Sequence, residues 1–152
     1  MPFFSSSKST FLDSHESADI IAAIKQAERR TSGEIRVYIE SKCRYMSAID
    51  RAAEIFDVLK MERTDNHNAV LIYLAVKDRQ VAIFGDHGIH QKTGDEFWEK
   101  EVGHMLEHFK QEHYATGICK AISDVGEALH YHFPYDNETD KNELPDDIVF
   151  GK

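Results

Sequence analysis

Asn68-Ala-Val-Leu-Ile-Tyr-Leu-Ala-Val-Lys-Asp-Arg-Gln-Val-Ala-Ile-Phe-Gly-Asp-His-Gly88 decides the fold. Val70 to Val76 and Gln80 to Phe84 are rich in β-branched and aromatic residues, and only Lys77-Asp78-Arg79 breaks them, so the stretch predicts a β-hairpin. Antiparallel pairing returns the end of the second strand to the start of the first, which puts Asn68 beside Gly85 and Asp86. An amide and a carboxylate meeting at a strand end, with Gly85 and Gly88 permitting close backbone approach, are the makings of a small site.

Before the hairpin, Ile20, Ile21, Ile24 and Ala27 recur at helical spacing from Ser14 to Arg30, until Ser32-Gly33 stops the pattern. Glu34-Ile-Arg-Val-Tyr-Ile-Glu40 alternates apolar and polar residues with the period of a strand. A second helix follows from Ser47, its N-cap, with Ile49, Ala53, Phe56 and Leu59 on one face, and ends at Arg63-Thr-Asp-Asn-His67. Strand, helix and strand form a βαβ unit with parallel strands and a right-handed crossover. Gly33 and Glu34 then share an edge with Asn68 and Asp86, and Asp65, Asn66, His87 and His90 gather there too. Glu40 and Asp78 fall at the opposite edge.

After the hairpin, Gly88 to Gly94 is expected to be a loop, followed by a third helix capped by Thr93 or Asp95 with a stripe of Trp98, Val102, Met105, Leu106 and Phe109. Tyr114-Ala-Thr-Gly117 interrupts it, and a fourth helix carries Ile118, Ile122, Val125 and Leu129 inward before ending near His132, just ahead of Pro134. Residues 1–134 are expected to form a single α/β domain. Tyr135 to Lys152 is acidic and nearly aperiodic, which predicts a loose or draped tail.

A chain of 152 residues is one ordinary domain that buries about two thirds of its unfolded surface, and it needs no covalent staples. Cys43 and Cys119 lack metal-type spacing and are expected to be free thiols of a reducing compartment. The net charge of −9, without a Lys/Arg cluster, argues against nucleic acid and favours cations. Met1-Pro-Phe-Phe-Ser-Ser-Ser-Lys8 is too short an apolar stretch for a signal peptide, and no run approaches the roughly 18 apolar residues of a membrane span, so a cytoplasmic protein is expected.

The acidic edge is the leading candidate site. Calcium takes about six to eight oxygens from carboxylates, amides, carbonyls and water. Asp86 and Asn68 would lead, with Glu34, Asp65 and the loop from His87 to His90 as contributors. The alternative is that such residues merely cap strand ends and turns. His104-Met-Leu-Glu-His108 fits the H-x-x-E-H pattern of inverted zinc peptidases, yet both histidines fall to the side of the apolar stripe and a downstream acidic ligand is missing. Asp136-Asn-Glu-Thr-Asp-Lys-Asn-Glu143 starts like a calcium loop, but Lys141 stands where Gly is required, so it reads as solvated charge. Neither a nucleophile elbow nor a Gly-rich phosphate loop is present in the sequence.

Ala27-Glu28, Thr31-Ser-Gly-Glu-Ile-Arg-Val37, Asn68-Ala-Val-Leu-Ile-Tyr-Leu74, Asp78-Arg79, Gly85-Asp-His-Gly-Ile89, and Phe109 through Tyr114 to Gly117-Ile118 occur in an order that resembles the TPM domain family. The resemblance spans about Ser14 to Pro134 and implies a three-layer α/β/α sandwich around a small mixed sheet. It also implies divalent-cation binding, chiefly of calcium, in loops at one sheet edge, and an acid phosphatase activity attributed to some plant members. Many relatives are exported and membrane-tethered, an arrangement this chain is expected to lack.

Three functions follow as expectations. The first is a binding or accessory module for Ca2+ or Mg2+. The second is a weak metal-dependent acid phosphatase at the same edge, with His87 or His90 as general acid. The third is an interaction domain whose acidic tail docks a basic protein partner.

Overall fold

Asp13 starts the first helix, α1 (Ser14–Glu28): its carboxylate accepts from the Glu16 N–H at 2.7 Å, while the Glu16 carboxylate accepts from the Asp13 N–H at 3.0 Å. This reciprocal box pairs two N–H groups that a helix start would otherwise leave over. The computed structural model describes residues 11–43, 45–135 and 148–151. It continues with β1 (Glu34–Glu40), α2 (Ala48–Val58), a 3-10 turn (Met61–Arg63), β2 (Ala69–Ala75), β3 (Gln80–Gly85), α3 (His87–Thr93), α4 (Asp95–Lys110), α5 (Tyr114–His132) and β4 (Ile148–Phe150).

The sheet order is β3-β2-β1-β4. β1 and β2 run parallel with Glu34 opposite Ala69, and β2 and β3 run antiparallel with Val70 opposite Gly85, so both the βαβ unit and the hairpin are present. On one face Ile35, Val37, Ile39, Val70, Ile72 and Leu74 pack with the buried side chains of α1, α4 and α5. On the other, Leu71, Tyr73 and Ala82 pack with Ala52, Ile55 and Phe56 of α2 and with Met61. The fold is therefore a three-layer α/β/α sandwich. Every residue of β2 is buried, because it is central in the sheet and helices cover both of its faces. That double burial is why its sequence is an unbroken apolar run. No helix among the described residues is long and apolar enough to cross a membrane. Cys43 and Cys119 are both free.

Several local expectations are corrected. α2 buries Ala52, Ile55 and Phe56 while Ile49 is 47% exposed, because Phe56 docks edge-on against Phe84 of β3 with ring centroids 4.9 Å apart. The segment expected as a loop from Gly88 to Gly94 is mostly helix α3. Gly94, at φ 81, takes the N-cap place of α4 in preference to Thr93 or Asp95. Leu106 lies outside the buried stripe of α4, and Glu101 occupies a buried place instead. The break before the last helix falls at residues 111–113, with Glu112 in the left-handed region at φ 61, so Tyr114-Ala-Thr-Gly117 is the first turn of α5.

The expected draped tail is also corrected in part. Ile148–Phe150 adds to the sheet as β4, parallel to β1, and the Gly151 N–H donates to the Ile39 carbonyl at 2.6 Å. β1 would otherwise present an open edge, and Ile148, 6% exposed, buries its side chain there. The leader reading of Met1 to Lys8, residues 136–147 and the calcium-like segment within them lie outside the described residues.

Candidate metal centre at the hairpin edge

Strand pairing builds the edge directly. The Glu34 N–H donates to the Asn68 carbonyl at 3.5 Å and the Asp86 N–H donates to the Ala69 carbonyl at 2.9 Å, so the starts of β1 and β2 meet the end of β3. Asn68 is 0% exposed. Its Nδ2 donates to Ser32 Oγ at 3.1 Å and its backbone N–H donates to Thr64 Oγ1 at 3.3 Å. Asp86 is the N-cap of α3, and its Oδ1 accepts from the His87 N–H at 2.8 Å. His67 Nδ1 stands 3.4 Å from Asp86 Oδ2, and His87 Nδ1 stands 3.3 Å from Asp86 Oδ1. The two imidazoles stack with centroids 4.4 Å apart.

Backbone geometry holds these groups in place. His67 sits at φ 51, in the left-handed region that few non-glycine residues occupy. A Cβ on Gly88 would lie 2.2 Å from the Asn66 carbonyl oxygen and 2.4 Å from that of His67. Only glycine lets the first turn of α3 come this close to the loop before β2.

The electrostatics are unusual in one respect. Asn68 Oδ1, Asp86 Oδ2 and His67 Nδ1 are buried without a hydrogen-bond partner among the described residues. Buried polar atoms are nearly always paired, and an orphaned one costs about 1–3 kcal/mol. Asn68 Oδ1 and Asp86 Oδ2 carry lone pairs only, and Asp86 Oδ2 faces His67 Nδ1, a donor or an acceptor according to its tautomer, at 3.4 Å. A cation at this edge, or a proton on His67 Nδ1, would pair the Asp86 oxygen. One ligand atom each from His67, Asp86 and His87 lie mutually within 4.8 Å, a spacing that one metal ion can span. The donor set thus fits a divalent cation.

Of the residues expected at this site, Asp86 and His87 come together, with His67, while Asn68 stands on the same edge with its side chain turned to Ser32. Glu34 is buried on the same edge, joined to Asn68 through the backbone. Asp65 is exposed in the preceding loop and outside the group whose ligand atoms converge. His90 turns aside: its Nδ1 accepts from Trp98 Nε1 at 3.0 Å, and its Nε2 lies 3.0 Å from Asp95 Oδ1. His67 was missed, although its place next to Asn68 was the available signal. The opposite edge is closed, since Glu40 is held by Arg51 and Tyr73, and Asp78 Oδ2 accepts from the Cys43 N–H at 2.7 Å.

An open groove of about 580 Å3 adjoins Asp86 and His87, with Ile49, Phe84 and Trp98 on its walls. A ligand held at the polar edge could therefore lay an apolar part along it.

Among solved structures, the chain is similar to the BA42 protein from the psychrophilic bacterium Bizionia argentinensis, with 40% identity, 93% of this chain and 96% of that one covered, and a TM-score of 0.85. The N-terminal domain of the cg2496 protein from Corynebacterium glutamicum shares the fold at 18% identity, covering 78% of this chain and 74% of that one with a TM-score of 0.62. So does the N-terminal domain of a protein from P. gingivalis, at 16% identity, 85% coverage of both chains and a TM-score of 0.70. No curated protein matches. The TPM domain model matches residues 6–128. That match takes in both strands of the hairpin and the edge where they meet the βαβ unit, and with it this chain belongs to the TPM domain family.

Proposed function

We propose that the chain is a divalent-cation-binding module, with Asp86 and Asn68 as the central oxygen donors, His67 and His87 beside them, and Ca2+ or Mg2+ as the ion. The observation that carries this reading is the set of three buried polar atoms at one edge, Asn68 Oδ1, Asp86 Oδ2 and His67 Nδ1, that have no hydrogen-bond partner among the described residues. Carboxylate and amide oxygens suit hard cations, while the two imidazoles also admit ions that accept nitrogen, such as zinc. Glu34, on the same edge, is a further candidate ligand. Amide NMR titration of the metal-free protein with CaCl2, MgCl2 and ZnCl2 tests this. Shifts should begin at His67, Asn68, Asp86 and His87; an unmoved edge at millimolar concentration of all three ions would refute it.

A second reading, a weak metal-dependent acid phosphatase, is favoured by the groove that opens from Asp86 and His87 toward Trp98. A bound divalent ion would supply polarisation of a phosphoryl oxygen. His87, whose side chain is 64% exposed, is free to approach a leaving group, whereas both ring nitrogens of His90 are engaged. Turnover of an aryl phosphate that is lost in Asp86→Asn supports catalysis, and equal turnover by the variant points to a contaminant.

A further inference from the structure

A different group of side chains, on the helical layer, has no part in the edge described above. Glu101 and His104 stand one turn apart on α4, and Asp124 faces them from α5. One ligand atom from each lies within 4.8 Å of the other two, and Glu101 Oε2 is 4.0 Å from His104 Nδ1. The Glu101 side chain is only 5% exposed, and its Oε1 has no hydrogen-bond partner among the described residues. Lys120 binds Asp124 Oδ1 at 2.8 Å and so offsets one of the two negative charges, but it leaves Glu101 Oε1 orphaned.

We propose that Glu101, His104 and Asp124 form a second metal site, for a zinc-class divalent ion. Two carboxylates and one imidazole from facing helices make a mixed oxygen and nitrogen set, of the kind that Glu-x-x-His pairs supply in helical metal proteins. Three protein ligands leave a coordination position open. His104, 47% exposed, puts that position at the protein surface, within reach of water or a small anion. The bland alternative is two carboxyl groups sharing a proton. Burial, reinforced by the nearby Asp124 carboxylate, pushes the Glu101 carboxyl up to about 7. A proton and a metal ion are alternative answers to the same crowding of negative charge, and the imidazole of His104 is what distinguishes a ligand set from a mere acid pair. The sequence motif around His104 therefore takes a new sense: its metal partner lies one turn back at Glu101, not one turn forward at His108.

Metal-free full-length protein titrated with ZnCl2 and followed by amide NMR tests the site. Resonances around Glu101, His104, Lys120 and Asp124 should move together, and Glu101→Gln and His104→Ala should each weaken that binding by at least about tenfold. His104 is half exposed, so its removal keeps the fold, and the spectrum itself reports whether each variant is native. Zinc shifts in this region that persist unchanged in His104→Ala, or none at millimolar zinc in the native protein, would overturn the proposal. Shifts at His67, Asp86 and His87 report the hairpin edge separately, so either site can fail alone.

Discussion

Replacing Asp86 separates two tasks that its two oxygens perform. Oδ1 caps α3 through the His87 N–H at 2.8 Å, whereas Oδ2 is buried with no hydrogen-bond partner among the described residues. Asp86→Asn keeps a capping acceptor and removes the charge, while Asp86→Ala removes both. Loss of the cap should cost about 1 kcal/mol. Without metal the unpaired carboxylate is itself a burden of about 1–3 kcal/mol, so in chelator Asp86→Asn should melt at or above the native protein. In calcium the order should invert. At a free ion concentration about 100 times Kd, binding adds about 2.7 kcal/mol, and at about 2–4 °C per kcal/mol for a chain of this size the native Tm should rise by about 5–11 °C. Circular dichroism melts at one fixed pH should be compared in EDTA and in excess CaCl2 or MgCl2. Asp86→Asn should show little of that rise, and Asp86→Ala should lie about 2–4 °C below it in both buffers. An Asp86→Asn protein that keeps the full calcium-dependent rise would refute the reasoning, because the ion would then be bound elsewhere.

Glu40 tests the closed edge. Arg51 Nε and Nη2 each donate to its carboxylate at 2.9 Å, and Tyr73 donates as well. Because the Arg51 side chain is 27% exposed and can rehydrate, Glu40→Gln should lose about 2–3 kcal/mol, near the low end for a broken buried pair. Burial alone would raise the Glu40 carboxyl, but the hydrogen bonds from Arg51 and Tyr73 and the charge of Arg51 outweigh it and hold it below the usual range. The stability it adds is therefore present above the unfolded value of about 4.3 and is lost as the pH falls through the lower, folded one. Urea midpoints should accordingly differ at pH 7 and converge in strong acid; a gap that persists there would count against this assignment. Gly88→Ala would put a Cβ 2.2 Å from the Asn66 carbonyl oxygen, and should cost about 1–3 kcal/mol in urea and weaken calcium binding by at least about tenfold in calorimetry. Ile148→Ala should lose about 2–3 kcal/mol in urea if β4 belongs to the sheet, and nothing if that segment only drapes over the domain.

Local periodicity by itself determined four of the helices, the first three strands, the hairpin, the βαβ unit and therefore the edge on which Asn68 and Asp86 both lie. These properties depend on residues near one another in sequence, and pairing register carries them to a definite place. Ser47 as N-cap was legible for the same reason, since a cap bonds within its own first turn. Other features were not legible. The face that α2 buries depends on Phe84, a residue of another strand. The three-residue strand β4 gains its stability from an open edge of β1, far away in the chain. His67 joins the site because a left-handed backbone turn aims it at Asp86, and Glu101 meets Asp124 only because α4 packs on α5. A sequence shows which atoms carry lone pairs, but whether a buried lone pair finds a donor depends on every neighbour that folding brings around it. Only the tertiary structure could therefore separate the satisfied carboxylate of Glu40 from the orphaned oxygens of Asp86 and Glu101.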